Sequence, residues 1–228
     1  MLKTVLVVAI GLLPPSSVKN ALLRATGWKI GQSSSIGPGL YIRVKAVSLG
    51  SESRIGPFNV FRDLSELAVG ERGRIGQWNW VSAADPLVRV RGGGFLRLGD
   101  DSALTARHYL DCSGGVTIGH HTTVAGVRST FITHGIDWKR AAQTTAGISI
   151  GNYCIISSNV ALTPGTTVND RVVVGMGTVA ARNVGPEGSL SVGARATTVK
   201  SEIHGAYFTR DRGYIKNIME RDDHDDSA

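Results

Sequence analysis

The sequence predicts an all-β solenoid of the parallel β-helix type, and two observations carry the prediction. The first is a six-residue beat. Ile150, Ile156, Leu162, Val168, Val174, Ala180, Pro186, Val192 and Thr198 fall on one period. The positions two before each are Ile148, Cys154, Val160, Thr166, Val172, Thr178, Val184, Leu190 and Ala196. Fourteen of these eighteen are apolar, where composition alone places roughly eight. Residues two apart face one side of a strand, and a pair repeated every six leaves room for a short strand and a corner. The second observation is punctuation. An aliphatic residue followed by Gly recurs at Ile30-Gly31, Ile36-Gly37, Leu49-Gly50, Ile55-Gly56, Val69-Gly70, Ile75-Gly76, Leu98-Gly99 and Ile118-Gly119. Many tight corners would use the 29 glycines.

The elements follow in chain order. Val5 to Leu13 is an apolar run after the single cation Lys3, too short to span a bilayer, and Pro14-Pro15 follows it where a signal peptide wants small residues. A short helix packed on the solenoid end or on a neighbouring subunit is the leading reading. A peripheral membrane contact aided by Lys19 and Arg24 is the second, and export the least favoured. Ser16 or Ser17 caps a helix through about Thr26, which Gly27 ends.

Rungs then begin at Ile30, Ile36 and Ile42, slip by one residue to Leu49, Ile55 and Phe61, and slip again to Val69, Ile75 and Val81. Arg89 to Gly94 breaks the beat as an irregular turn. Leu98, Leu104 and Leu110 resume it, followed by Ile118, Val124 and Thr130. The segment 135–147 is the longest interruption beyond residue 98 and reads as a loop thrown out from the stack. Nine clean repeats follow. The organisation is thus an apolar helical segment over 1–27, a solenoid over 28–200 and a C-terminal extension over 201–228, ending in an acidic tail.

Bulk composition narrows the classes. With 42% hydrophobic and 19% charged residues the chain is globular, not disordered. The net charge of +7 favours anionic ligands or an acidic membrane surface and is no nucleic-acid signature by itself. Cys112 and Cys154 give neither a disulfide framework nor metal-ligand spacing, and read as small buried hydrophobes in a reducing compartment. His108 falls two before Leu110, at an inward phase, so it is either a satisfied interior group or opens onto a cleft. His120 and His121 read as exposed corner residues.

From about Ile30 to Lys200 the chain resembles the hexapeptide-repeat acyltransferases, and among them the sugar O-acetyltransferases of the galactoside and maltose type. The likeness is strongest over Leu110 to Asp137 (LDCSGGVTIGHHTTVAGVRSTFITHGID), Ile150 to Leu162 (IGNYCIISSNVAL) and Val174 to Lys200. It implies a left-handed parallel β-helix, assembly as a homotrimer, and acetyl-CoA as acyl donor bound in clefts between subunits.

The same resemblance assigns roles. His134 matches the family's catalytic histidine, an imidazole able to take a proton from an attacking hydroxyl near neutral pH. Asp111 matches an acidic residue near the acceptor sugar, with a turn-forming Asp as the alternative, and His108 is a second candidate on the acceptor side. Ser158 aligns with a serine beside the thioester carbonyl, where it stabilises an oxyanion or simply forms a corner. Gly175, Gly177 and Thr178 match the small residues that run beside the pantetheine arm. Arg182 and Lys200 match basic positions suited to the phosphates of coenzyme A, and Arg195 adds a cation where the family has proline.

Two departures stand out: Ile155 replaces a frequent tryptophan, and the usual Asn-Pro-Ala-Lys reads Ala194-Arg195-Ala196-Thr197. No metal is expected. The leading expectation is acetyl transfer to a hydroxyl of a sugar or surface-glycan precursor at the cytoplasmic side. An N-acyltransferase on a nucleotide-linked amino sugar and a non-catalytic solenoid scaffold are the alternatives.

Overall fold

The computed structural model describes residues 2–193. Within them the chain winds through three parallel sheets, of eight, eight and seven strands, most only two to four residues long. Each turn of the chain lays one strand on each sheet in the order first, second, third. This is the expected parallel β-helix, consistent with a left-handed coil.

The core is the set of inward columns that the six-residue beat creates. In the third sheet Tyr41, Phe61, Val81, Leu110, Phe131, Leu162 and Ala180 lie in register, one per coil. In the second, Ile36, Ile55, Ile75, Leu104, Val124, Ile156 and Val174 do the same. No rung could bury its face alone, and each is covered by the rungs above and below.

Corners are often made by residues other than glycine. Phe58, Trp78, Arg107, Arg128 and Asn159 stack along the corner between the second and third sheets, all with φ between 58° and 65°. Beneath them runs an interior polar ladder. Asn59 Oδ1 accepts from the Asn79 amide (2.8 Å), Asn79 Oδ1 from the His108 amide (2.9 Å), and His108 Nδ1 from the Ser129 amide (3.1 Å). These side chains satisfy buried backbone donors where the strands turn.

Two helices close the N-terminal end. Helix α1 (Leu2–Gly11) lays Val7, Ile10 and Gly11 on the first coil. A side chain at Gly11 would meet the Gly39 carbonyl at 2.8 Å and the Tyr41 ring at 2.9 Å, so only glycine permits this approach. Helix α2 (Ser17–Ala25) is capped by Ser16, whose Oγ accepts from the Lys19 amide at 3.1 Å. The buried Lys19 ammonium donates to the carbonyls of Gly11, Leu13 and Gly37 at 2.8–2.9 Å and ties both helices to the first coil. Tyr41 stacks on Phe61 at 5.2 Å and meets Trp28 edge-on at 5.0 Å, which completes this end of the core.

Five expectations are revised. Phe131, not Thr130, takes the inward place in the fifth coil, because that rung is one residue longer than the beat. Tyr41, not Ile42, takes the inward place in the first coil, because the rung is one residue shorter than the beat. The run of nine repeats stops at Ala180. Val184 pairs with Val168, sixteen residues on instead of eighteen, because the chain turns tightly through Arg182 at φ 58°. Leu190 and Val192 accordingly lie exposed. The segment Asp85–Arg91 is a short helix, α3, and only Gly92 to Gly94 form the turn. Finally, the interruption after residue 134 is an antiparallel hairpin, His134–Asp137 pairing with Ala142–Thr145.

Candidate active site

The corner between the third and first sheets carries the insertions. In the third coil it holds α3, in the fourth Asp111 to Gly114, and in the fifth the hairpin that begins at His134. Asp111 ends the strand Tyr109–Asp111, and its side chain leaves on the outer face, as the alternation from the inward Leu110 requires.

A cage of short bonds fixes the carboxylate. Oδ1 accepts from the Ser113 hydroxyl at 2.6 Å and its amide at 3.3 Å. Oδ2 accepts from the Thr133 amide at 2.8 Å, with the Thr133 hydroxyl also 2.8 Å away. That hydroxyl is 2.9 Å from the Asp111 carbonyl as well, and it accepts from the Gly114 amide at 2.8 Å.

His134, the residue after Thr133, then places Nδ1 2.8 Å from Asp111 Oδ2. Nδ1 is buried and has no other partner among the described residues, and its approach to Oδ2 is short but off the ideal N–H line. Catalytic hydrogen bonds often tighten only when substrate is bound. The Asp111 side chain is 6% exposed and that of His134 40%, so the pair has one covered member and one that reaches solvent.

The electrostatics agree with the geometry. Burial by itself would raise the Asp111 pKa, but the hydrogen bonds from His134, Ser113 and Thr133 outweigh it and hold the pKa at about 2. The contact with Asp111 raises the His134 pKa above the ordinary imidazole value, against the opposing effect of burial. A carboxylate fixed on Nδ1 leaves Nε2 as the nitrogen that can exchange a proton with a ligand.

His108 has a different place. It is buried in the interior ladder, with Nδ1 accepting from Ser129 and Nε2 3.0 Å from the Thr105 hydroxyl. Burial lowers its pKa to about 4, so the ring is neutral with its proton on Nε2. Both nitrogens are engaged, and the ring fills an inward corner where no ligand reaches it. His120 and His121 are exposed as expected, and His121 stacks on Tyr153 at 4.8 Å.

The residues expected around acetyl-CoA gather elsewhere. Ser158 stands on the corner between the second and third sheets. Its hydroxyl accepts from the Val127 amide at 3.2 Å, and its carbonyl accepts from the Gly177 amide at 3.2 Å. Gly175, Gly177 and Thr178 form the next coil of that corner. Gly177 adopts φ 72° with open space beside its α-carbon, and Thr178 Oγ1 is buried without a partner among the described residues. Small residues along one corner fit an extended ligand arm, whereas Thr178 Oγ1 lies in the inward column that also holds His108 and faces the core. Within one chain, however, this corner and the Asp111–His134 corner lie at opposite ends of the third sheet's strands. Arg182 lies on the latter ridge, two coils beyond His134. Arg195 and Lys200 lie outside the described residues.

Sequence reasoning missed Ser113 and Thr133, whose bonds hold Asp111. Their adjacency to Asp111 and His134 was the available signal. No protein-family model matches the chain, and no curated protein matches it.

Proposed function

We propose that the chain is an acyl-CoA-dependent O-acyltransferase, moving acetyl from acetyl-CoA to a hydroxyl of a sugar or glycan precursor. The observation that carries the reading is the Asp111–His134 pair: a caged, ionised carboxylate 2.8 Å from Nδ1 of a half-exposed imidazole, at the root of a hairpin that leaves the solenoid.

In this mechanism His134 Nε2 takes the acceptor hydroxyl proton as the oxygen attacks the thioester carbonyl. Asp111 fixes the tautomer and stabilises the imidazolium that forms. The tetrahedral intermediate collapses with loss of the coenzyme A thiolate, which receives the proton back from His134. The base is regenerated and no acyl-enzyme forms. The Ser158, Gly175, Gly177 and Thr178 corner would hold the donor through backbone groups, with Arg182 toward its phosphates. Since one chain keeps this corner apart from His134, the reading requires a second copy to complete the site, as in the trimers of the family the chain resembles.

The test is acetyl transfer from acetyl-CoA to a panel of p-nitrophenyl glycosides, read as free thiol. His134→Ala is expected to lower the rate by roughly 10²–10⁴ while acetyl-CoA still binds. An equal rate in wild type and variant would remove His134 from the chemistry.

A further inference from the structure

Helix α1 is apolar on both sides, but the solenoid covers only one of them. Val7, Ile10 and Gly11 are buried, whereas Leu2, Val5, Leu6, Ala9 and Leu12 face solvent at the spacing of a second helical stripe. Leu2 is 84% exposed, Val5 62% and Leu12 55%. Val18 and Leu22 of α2 are exposed as well. A helix whose only task is to close a solenoid would carry polar residues on this outer face.

Beside α1 lies a cavity of about 590 Å³ whose lining includes Lys3, Arg43, Lys45, Asp63, Asp85 and Arg89. Arg43 pairs with Asp63 and Arg89 with Asp85, which leaves Lys3 and Lys45 as the cations of this lining without an acidic partner among the described residues. No helix among the described residues is long and apolar enough to cross a bilayer.

We infer that this end of the molecule docks on an anionic phospholipid bilayer, with the outer stripe of α1 seated among the acyl chains and a headgroup phosphate held in the Lys3–Lys45 cavity. The charges favour a membrane over a second copy of the chain, because a copy packed on this face would bring its own lysines against these. Lys19 holds α1 rigidly on the first coil, so the stripe is presented without a folding step. The cavity, α3 and the Asp111–His134 pair follow one another along the same corner. Asp111 lies three coils beyond Arg43, on the order of 15 Å at the spacing of neighbouring strands. Docking would thus hold His134 close to the surface.

The experiment is flotation of the full chain with vesicles of phosphatidylcholine alone and with about a third phosphatidylglycerol. Wild type is expected to float with the anionic vesicles and to release at high salt. Lys3→Gln/Lys45→Gln should weaken binding by roughly tenfold or more, since each cation near an anionic surface contributes about a factor of five. Leu6→Ser/Leu12→Ser should weaken it on anionic vesicles with Lys3 and Lys45 intact. Unchanged circular dichroism shows that both variants are folded. The proposal is overturned if wild type binds neither vesicle, if either variant binds as well as wild type, or if Leu6→Ser/Leu12→Ser instead dissociates an oligomer of a chain that ignores vesicles. None of these readouts depends on acetyl transfer.

Discussion

Asp111 Oδ2 and His134 Nδ1 lie 2.8 Å apart across one turn of the solenoid, and Thr133 joins the two coils by donating its amide to the same oxygen. The pair is therefore built by the register of the third sheet, in which Leu110 faces Phe131, as much as by the two side chains.

The first consequence is a pH signature. A raised His134 pKa means that the pair's contribution to stability is complete below the ordinary imidazole value of about 6.5 and is lost as pH rises through the raised value. The Asp111 contribution is present above the usual carboxylate range and is lost as pH falls toward about 2. An NMR titration of the His134 ring should give a midpoint above 6.5, and Asp111→Asn should move it down. The acidic limb of the transfer rate should shift the same way.

Asp111 also has a structural task. Asp111→Ala strands the Thr133 amide and the Ser113 hydroxyl and should cost about 2–4 kcal/mol in urea unfolding. Asp111→Asn, which keeps the shape and half of the acceptors, should cost less.

His108 should separate from His134 in every assay. His108→Ala leaves the buried Ser129 amide without an acceptor and should lower stability by about 2–3 kcal/mol. Any fraction that folds should transfer acetyl at the wild-type rate and give the same rate–pH profile.

Lys19 is predicted to fix the N-terminal end. Lys19→Met removes donors from the Gly11, Leu13 and Gly37 carbonyls and relieves the burial of a charge, for a net loss of about 1–3 kcal/mol. Amide exchange should accelerate over α1 while the central coils remain protected.

The sequence made the solenoid legible because its period is set by geometry. Inward positions such as Ile55, Phe61, Ile75 and Val81 must be apolar wherever coils stack. The rung at Tyr41 and the shortened coil at Val184 were not legible, since a corner can lose a residue without changing the residue types around it. Helix α3 escaped because seven residues carry too little periodicity. Asp111 and His134 were singled out through their resemblance to a known pattern, but their contact depends on strand register, which composition and spacing leave open. For His108 the inward phase was the informative signal: it placed the ring in the core, where both nitrogens are used.

The most direct measurement of the central claim is calorimetric binding of acetyl-CoA to wild type and His134→Ala, followed by transfer to the glycoside panel. Both proteins should bind acetyl-CoA, and only wild type should transfer it efficiently. Failure of wild type to bind acetyl-CoA, or undiminished transfer by His134→Ala, would contradict the claim.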